Sequence, residues 1–163
     1  AAAAYHPPKP LRTLVLSPYQ INTTSPLAGL KTCNYLETLL AFDAACHAGA
    51  DEAVRLNERG EVASACLANI FWETDGRLFT PSLRTGCVAG TMREAVLERT
   101  DCIETEADVE VLETADAIYL SSAGIGFVAV DEFNGRSLNS RASIADVLRS
   151  LPELKGLLAA NQQ

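Results

Sequence analysis

Residues 52–81 read EAVRLNERGEVASACLANIFWETDGRLFTP. Glu52 to Asn57 predicts a strand, Glu58-Arg59-Gly60 a turn, and Glu61 to Cys66 a second strand. Together they predict a hairpin. Ala68 to Glu73 predicts a third strand, and Thr74-Asp75-Gly76 turns it into a short fourth, Arg77 to Thr80, closed by Pro81. Strands joined by short turns pair antiparallel, so this stretch sets the fold class.

The rest of the chain adds helices around that sheet. Leu11 to Leu16 predicts a strand, and Ser17 to Ala28 a polar loop. Thr32 to Ala48 carries Leu36, Leu39, Leu40, Ala44, Ala45 and Ala48 at helical spacing, with Gly49 as its cap. Gly90 opens a helix to about Arg99, Asp101 to Glu106 is extended, and Val109 to Thr114 is a short helix. Ala117 to Ser122 and Val128 to Phe133 predict strands, with Asn134-Gly135 a hairpin turn and Ile144 to Ser150 a last helix. The reading is an α+β domain over 11–163, a mixed, largely antiparallel sheet with covering helices. Residues 1–10, four alanines and then Tyr5-His6-Pro7-Pro8-Lys9-Pro10, read as a linker or remnant.

Composition narrows the function. Of 163 residues, 48% are apolar and 21% charged, as in ordinary soluble domains. The net charge of −8 argues against nucleic acid or an anionic membrane as partner, since both need a basic face. The stretch Ala117 to Val130 is too short to span a bilayer and reads as buried strand. Five cysteines with no CxxC pair suit a reducing cytoplasm better than a disulfide framework. His6 and His47 are far apart, and neither reads as catalytic or metal-binding.

Lys31 stands out among the three lysines. It lies between apolar and small residues, after Pro26-Leu27-Ala28-Gly29-Leu30 and before Thr32-Cys33-Asn34-Tyr35-Leu36. Desolvation would lower its pKa, and a neutral amine attacks carbonyls to form a Schiff base. Alone, it reads better as a surface lysine with its stem on a helix and its head in water.

From Ser17 to about Arg136 the chain resembles the C-terminal half of the fold-type IV pyridoxal-phosphate enzymes. The resemblance rests on Gly29-Leu30-Lys31-Thr32-Cys33-Asn34-Tyr35; Gly49-Ala50-Asp51-Glu52-Ala53 with Gly60-Glu61-Val62; Ala68-Asn69-Ile70-Phe71-Trp72; Thr80-Pro81 with Gly86-Cys87-Val88-Ala89-Gly90-Thr91-Met92-Arg93; and Ala115-Asp116-Ala117-Ile118-Tyr119-Leu120-Ser121-Ser122-Ala123. It implies pyridoxal 5′-phosphate as cofactor and Lys31 as both its Schiff-base lysine and the general base. Asn69 lies on the strand beside the pyridine ring. Thr91 and Met92 offer helix-start N–H groups to the phosphate. Ser122 adds a further phosphate contact, with Ser121 turned the other way. The resemblance also implies a small amino substrate, a cytoplasmic homodimer, and a smaller N-terminal domain beyond this sequence. The expected site is a dry Lys31 amine facing a phosphate cradle at Gly90.

One position departs from that pattern. The family places a glutamate against the pyridine nitrogen; here that position is Ser64. Without the carboxylate the ring is a weaker electron sink. The chain then reads as tuned for elimination, as a weakened transaminase, or as a non-catalytic relative. Asn34 three residues after Lys31, Met92 and Trp72 resemble aminodeoxychorismate lyase, which eliminates pyruvate to give 4-aminobenzoate in folate biosynthesis. The alternative within the family is a D-amino-acid or branched-chain aminotransferase.

Overall fold

The computed structural model describes residues 13–138. The leader and the helix expected at Ile144 to Ser150 lie outside the described residues. In order the elements are β1 (Thr13–Leu16), α1 (Leu36–His47), β2 (Glu52–Leu56), β3 (Val62–Ala65), β4 (Asn69–Thr74), β5 (Arg77–Pro81), α2 (Thr91–Leu97), β6 (Ile103–Thr105), α3 (Glu110–Thr114), β7 (Ala117–Ser122), β8 (Gly126–Ala129), β9 (Glu132–Phe133) and β10 (Arg136–Ser137).

The expected mixed, largely antiparallel pairing is present, but in two five-stranded sheets rather than one. The first runs β10-β9-β1-β2-β3 and the second β6-β5-β4-β7-β8. Glu52 supplies a physical reason for the break. Its buried carboxylate accepts the N–H groups of Cys66 and Leu67, each at 3.0 Å, and bends the chain between β3 and β4. The strand expected over Val128 to Phe133 is divided in the same way. Val130 N donates to Ile118 O at 2.9 Å in one sheet, and Asn134 N to Leu14 O at 2.9 Å in the other.

Local turn chemistry fixes both tight hairpins. Asp75 (φ 51°) with Gly76 (φ 71°), and Asn134 (φ 47°) with Gly135 (φ 81°), have the left-handed backbone that matches strand twist. β1 and β2 pair parallel, with Leu14 opposite Glu52, and α1 makes the crossover between them. α1 starts at Leu36, later than expected, because Thr32 Oγ1 accepts the Asn34 N–H at 3.2 Å and offers the backbone a turn instead.

Alternation along β4 and β7 separates two cores. Ile70, Trp72, Ile118 and Leu120 join Leu14, Val54 and Phe133 between the sheets. Phe71, Ala117 and Tyr119 face the other way, onto Met92 and Val96 of α2. That second face positions the start of α2 beside the start of β4 and the end of β7. No described helix is long and apolar enough to cross a membrane.

Candidate functional site

A cavity of about 880 Å³ lies where the 21–35 loop, the end of β3, the start of α2 and the end of β7 converge. Lys31, Ser64, Asn69, Thr91, Met92 and Ser122, the six residues singled out in the sequence, all line it.

Lys31 sits in the loop before α1, not at a helix junction. Gly29 N donates to Gly86 O at 3.1 Å, tying this loop to the one that leads into α2. Gly86 needs its φ of 89°, and a Cβ there would come within 3.0 Å of Ile21 Cγ2. Lys31 Nζ donates to Tyr35 Oη at 2.7 Å and lies 5.4 Å over that ring. The expectation of a dry amine does not hold among the described residues. Lys31 is exposed, because the loop around it is open where a helix was expected. It nevertheless shares the cavity with the cradle at Gly90.

Asn69, at the start of β4, is buried and donates from Nδ2 to Val88 O at 2.8 Å. A Cβ at Gly90 would run into Asn69 Oδ1, so only glycine lets the chain pass this close before α2 begins. Met92 is buried against the sheet, whereas Thr91 is exposed. The two serines stand on opposite faces of β7. Ser121, not Ser122, shares the α2 face of β7 with Tyr119 and Ala117, because facing repeats every second residue. Ser121 is fully buried, and its Oγ has no hydrogen-bond partner among the described residues. Ser122 Oγ accepts the Ile125 N–H at 3.4 Å in the β7–β8 turn. Both serines border the cavity.

Ser64 is half-buried on β3, directly opposite Arg55 of β2. Arg55 is a cavity residue that the strand reading passed over. An arginine on the buried side of an apolar strand was its available signal. Cys66 also borders the cavity, but burial, helped by Glu52, pushes its thiol up to about 12. It is therefore a neutral thiol and not an anionic nucleophile.

The charged lining residues are Lys31, Arg55 and Glu37, and the Glu37 side chain is 81% exposed. The cavity is thus locally cationic in a chain of net charge −8, which suits an anionic ligand. An unpaired buried hydroxyl, a glycine-shaped approach to a helix start and an amine in one cavity fit a phosphorylated carbonyl compound.

The family model for amino-transferase class IV matches residues 1–133. A Methanocaldococcus jannaschii protein assigned as a branched-chain-amino-acid aminotransferase is 30% identical, over 76% of this chain and 44% of its own. The aminodeoxychorismate lyase of Bacillus subtilis is 29% identical, over 84% and 50%. A crystal structure from Legionella pneumophila, assigned as a 4-amino-4-deoxychorismate lyase, superposes with a TM-score of 0.79 at 25% identity, covering 94% of this chain and 56% of that one. The chain spans about half the length of these relatives.

Proposed function

Because the chain belongs to the amino-transferase class IV family, we propose that it is the cofactor-holding part of an aminodeoxychorismate lyase-like enzyme. Such an enzyme eliminates pyruvate from aminodeoxychorismate and leaves 4-aminobenzoate. One observation carries the reading: Lys31, the unpartnered Ser121 hydroxyl and the Gly90–Met92 helix start border the same cavity.

Pyridoxal 5′-phosphate is the group these residues would hold. Its phosphate suits the N–H groups of Thr91 and Met92 and the hydroxyls of Ser121 and Ser122. Asn69 fixes the cradle, Ser64 offers a hydroxyl to the ring, and Lys31 supplies the amine. When bound, the cofactor supplies an electron sink for charge developing at the substrate Cα. The chain's own chemistry is proton handling at Lys31 Nζ. Tyr35 Oη, 2.7 Å away, orients that nitrogen. A neutral Nζ accepts the Cα proton as general base. Aromatisation of the product favours elimination and lessens the demand on the electron sink, which suits Ser64 in place of a carboxylate.

The reading carries with it a small amino substrate, a place in folate biosynthesis and a cytoplasmic homodimer. The exposed leucines of α1, Leu36 (64%), Leu39 (55%) and Leu40 (47%), offer apolar surface for such an assembly. The second reading is a branched-chain-type aminotransferase, favoured by the similarity to the Methanocaldococcus protein.

Incubating the full-length protein with aminodeoxychorismate tests the proposal. Pyruvate and 4-aminobenzoate are expected in equal amounts. Amino transfer to 2-oxoglutarate without pyruvate rejects the lyase in favour of the aminotransferase. Borohydride should fix the cofactor to the wild-type protein but not to Lys31→Ala; fixation in both variants removes Lys31 from its role.

A further inference from the structure

We propose that this cavity holds a pyridine ring with its nitrogen unprotonated, because Ser64 and Arg55 occupy a wall that, among the described residues, carries no buried carboxylate. The inference rests on the reading of pyridoxal phosphate as the ligand.

Among the described lining residues the carboxylate is Glu37, on the first turn of α1. It is 81% exposed and lies 3.6 Å from Arg55 Nη2, so it is both hydrated and already facing a cation. Glu52 lies behind the wall, buried, but it does not line the cavity. Its oxygens accept from Ala53 N at 2.9 Å and from Cys66 N and Leu67 N at 3.0 Å. The remaining ionisable lining groups are Lys31, Tyr35, Cys66 and Arg55. Whichever way a pyridine lies here, no buried anion among the described lining residues faces its nitrogen to hold a proton on it.

Arg55 makes the wall actively unfavourable to that proton. Its side chain is 7% exposed. Nη2 donates to Gln20 O at 3.1 Å, Nη1 reaches Thr38 Oγ1 at 3.4 Å, and Nε has no partner among the described residues. Its carboxylate neighbour among the described residues is Glu37, which is exposed to water, so the guanidinium faces no buried anion there. Arg55 and Ser64 are register partners across β2 and β3. Such partners stand on one face with Cβ atoms about 5 Å apart. A nearby cation disfavours the charged form of a base. A serine hydroxyl has one donor and two acceptor positions, so it can bond either form of the nitrogen and does not itself choose. Arg55 makes the choice, and Ser64 donates to the free lone pair.

The test is ¹⁵N NMR on the full-length protein loaded with ring-¹⁵N pyridoxal phosphate. Near neutral pH the wild-type resonance is expected at the free-base pyridine position. Arg55→Lys, which keeps the charge, should leave it there. Arg55→Leu should raise the pH at which the nitrogen protonates. Ser64→Glu combined with Arg55→Leu should move the resonance to the pyridinium position. Circular dichroism and borohydride fixation at Lys31 establish that each variant is folded and loaded. A pyridinium resonance in the loaded wild type overturns the inference and leaves the cofactor reading standing. An Arg55→Leu titration identical to wild type overturns the part given to Arg55. Failure of the wild type to take up the cofactor overturns the inference together with the reading beneath it.

Discussion

Gly90→Ala probes the joint on which the site is built. The Gly90 backbone (φ −77°, ψ 142°) is open to any residue, so the substitution carries no backbone strain. Its cost comes from contact. The new methyl would meet Asn69 Oδ1 in a place where Asn69 is buried and bonded to Val88 O at 2.8 Å. Overpacking of this kind costs about 1–3 kcal/mol. Losing the Asn69 bond adds about 1 kcal/mol. The sum, about 2–4 kcal/mol, corresponds to a fall in Tm of about 4–16 °C for a chain of this size. Urea unfolding measures it, with Gly124→Ala as the control. A Cβ at Gly124 meets only Ser122 Oγ, at 3.9 Å. A double-mutant cycle isolates the contact. In an Asn69→Ala background the obstructing oxygen is gone, and Gly90→Ala should then cost less than about 0.5 kcal/mol, as at a site free of special features. An equal cost in both backgrounds refutes the reasoning, because the penalty would not come from the Asn69 side chain.

Further predictions concern titration and reactivity. Burial raises the Glu52 carboxyl above its ordinary range, against the bonds from Ala53, Leu67 and Cys66 that lower it. A raised folded-state pKa gives stability that is present below the ordinary carboxylate value and lost as pH rises through the raised one. Wild type should therefore lose stability relative to Glu52→Gln as pH climbs from acid toward neutral, in parallel urea titrations. Glu58 behaves oppositely: the Thr23 hydroxyl and N–H hold its carboxyl down at about 2. Its contribution is present above the ordinary value and fades as pH falls toward about 2. NMR titration of Thr23→Val should show Glu58 moving back toward the ordinary range. Cys33 and Cys46 are exposed, whereas burial raises Cys66 and Cys102 to about 12 and also raises Cys87. A thiol reagent at neutral pH should label Cys33 and Cys46 rapidly and the other three only on unfolding.

The parts of the fold legible in the sequence are those set by local chemistry. Asp75-Gly76 and Asn134-Gly135 encode left-handed turns by themselves, and Gly49 ends α1 with φ 80°. What escaped was decided between distant segments. The division into two sheets depends on Glu52 capturing N–H groups at Cys66 and Leu67, fourteen and more residues away. An inward glutamate on an apolar strand is visible in the sequence, but its partners are not. The late start of α1 is a contest between helix propagation and the Thr32 hydroxyl, and a periodicity of leucines does not register that contest.

The candidate site was legible as residues that share one cavity, and less so as a set of directions. All six predicted residues reach one cavity because motif order fixed which strand ends and loops converge. Direction is a matter of parity, and parity depends on where a strand is anchored. Tyr119 faces α2, with Oη donating to Glu73 at 3.0 Å, so Ser121 must face α2 as well. A shift of one residue in the anchoring would have favoured Ser122. The same parity carries the argument about charge. Arg55 stands opposite Ser64 because the β2–β3 register places it there. The residue at 64 therefore cannot be judged as a lost carboxylate alone. A glutamate at 64 would face Arg55 across the ladder and be drawn into an ion pair with it, away from any ring nitrogen. Restoring the acid by Ser64→Glu alone should consequently do less to protonate a bound ring than the same change made with Arg55→Leu. The two positions form one electrostatic unit, so the effect of an acid at 64 is read against the residue at 55.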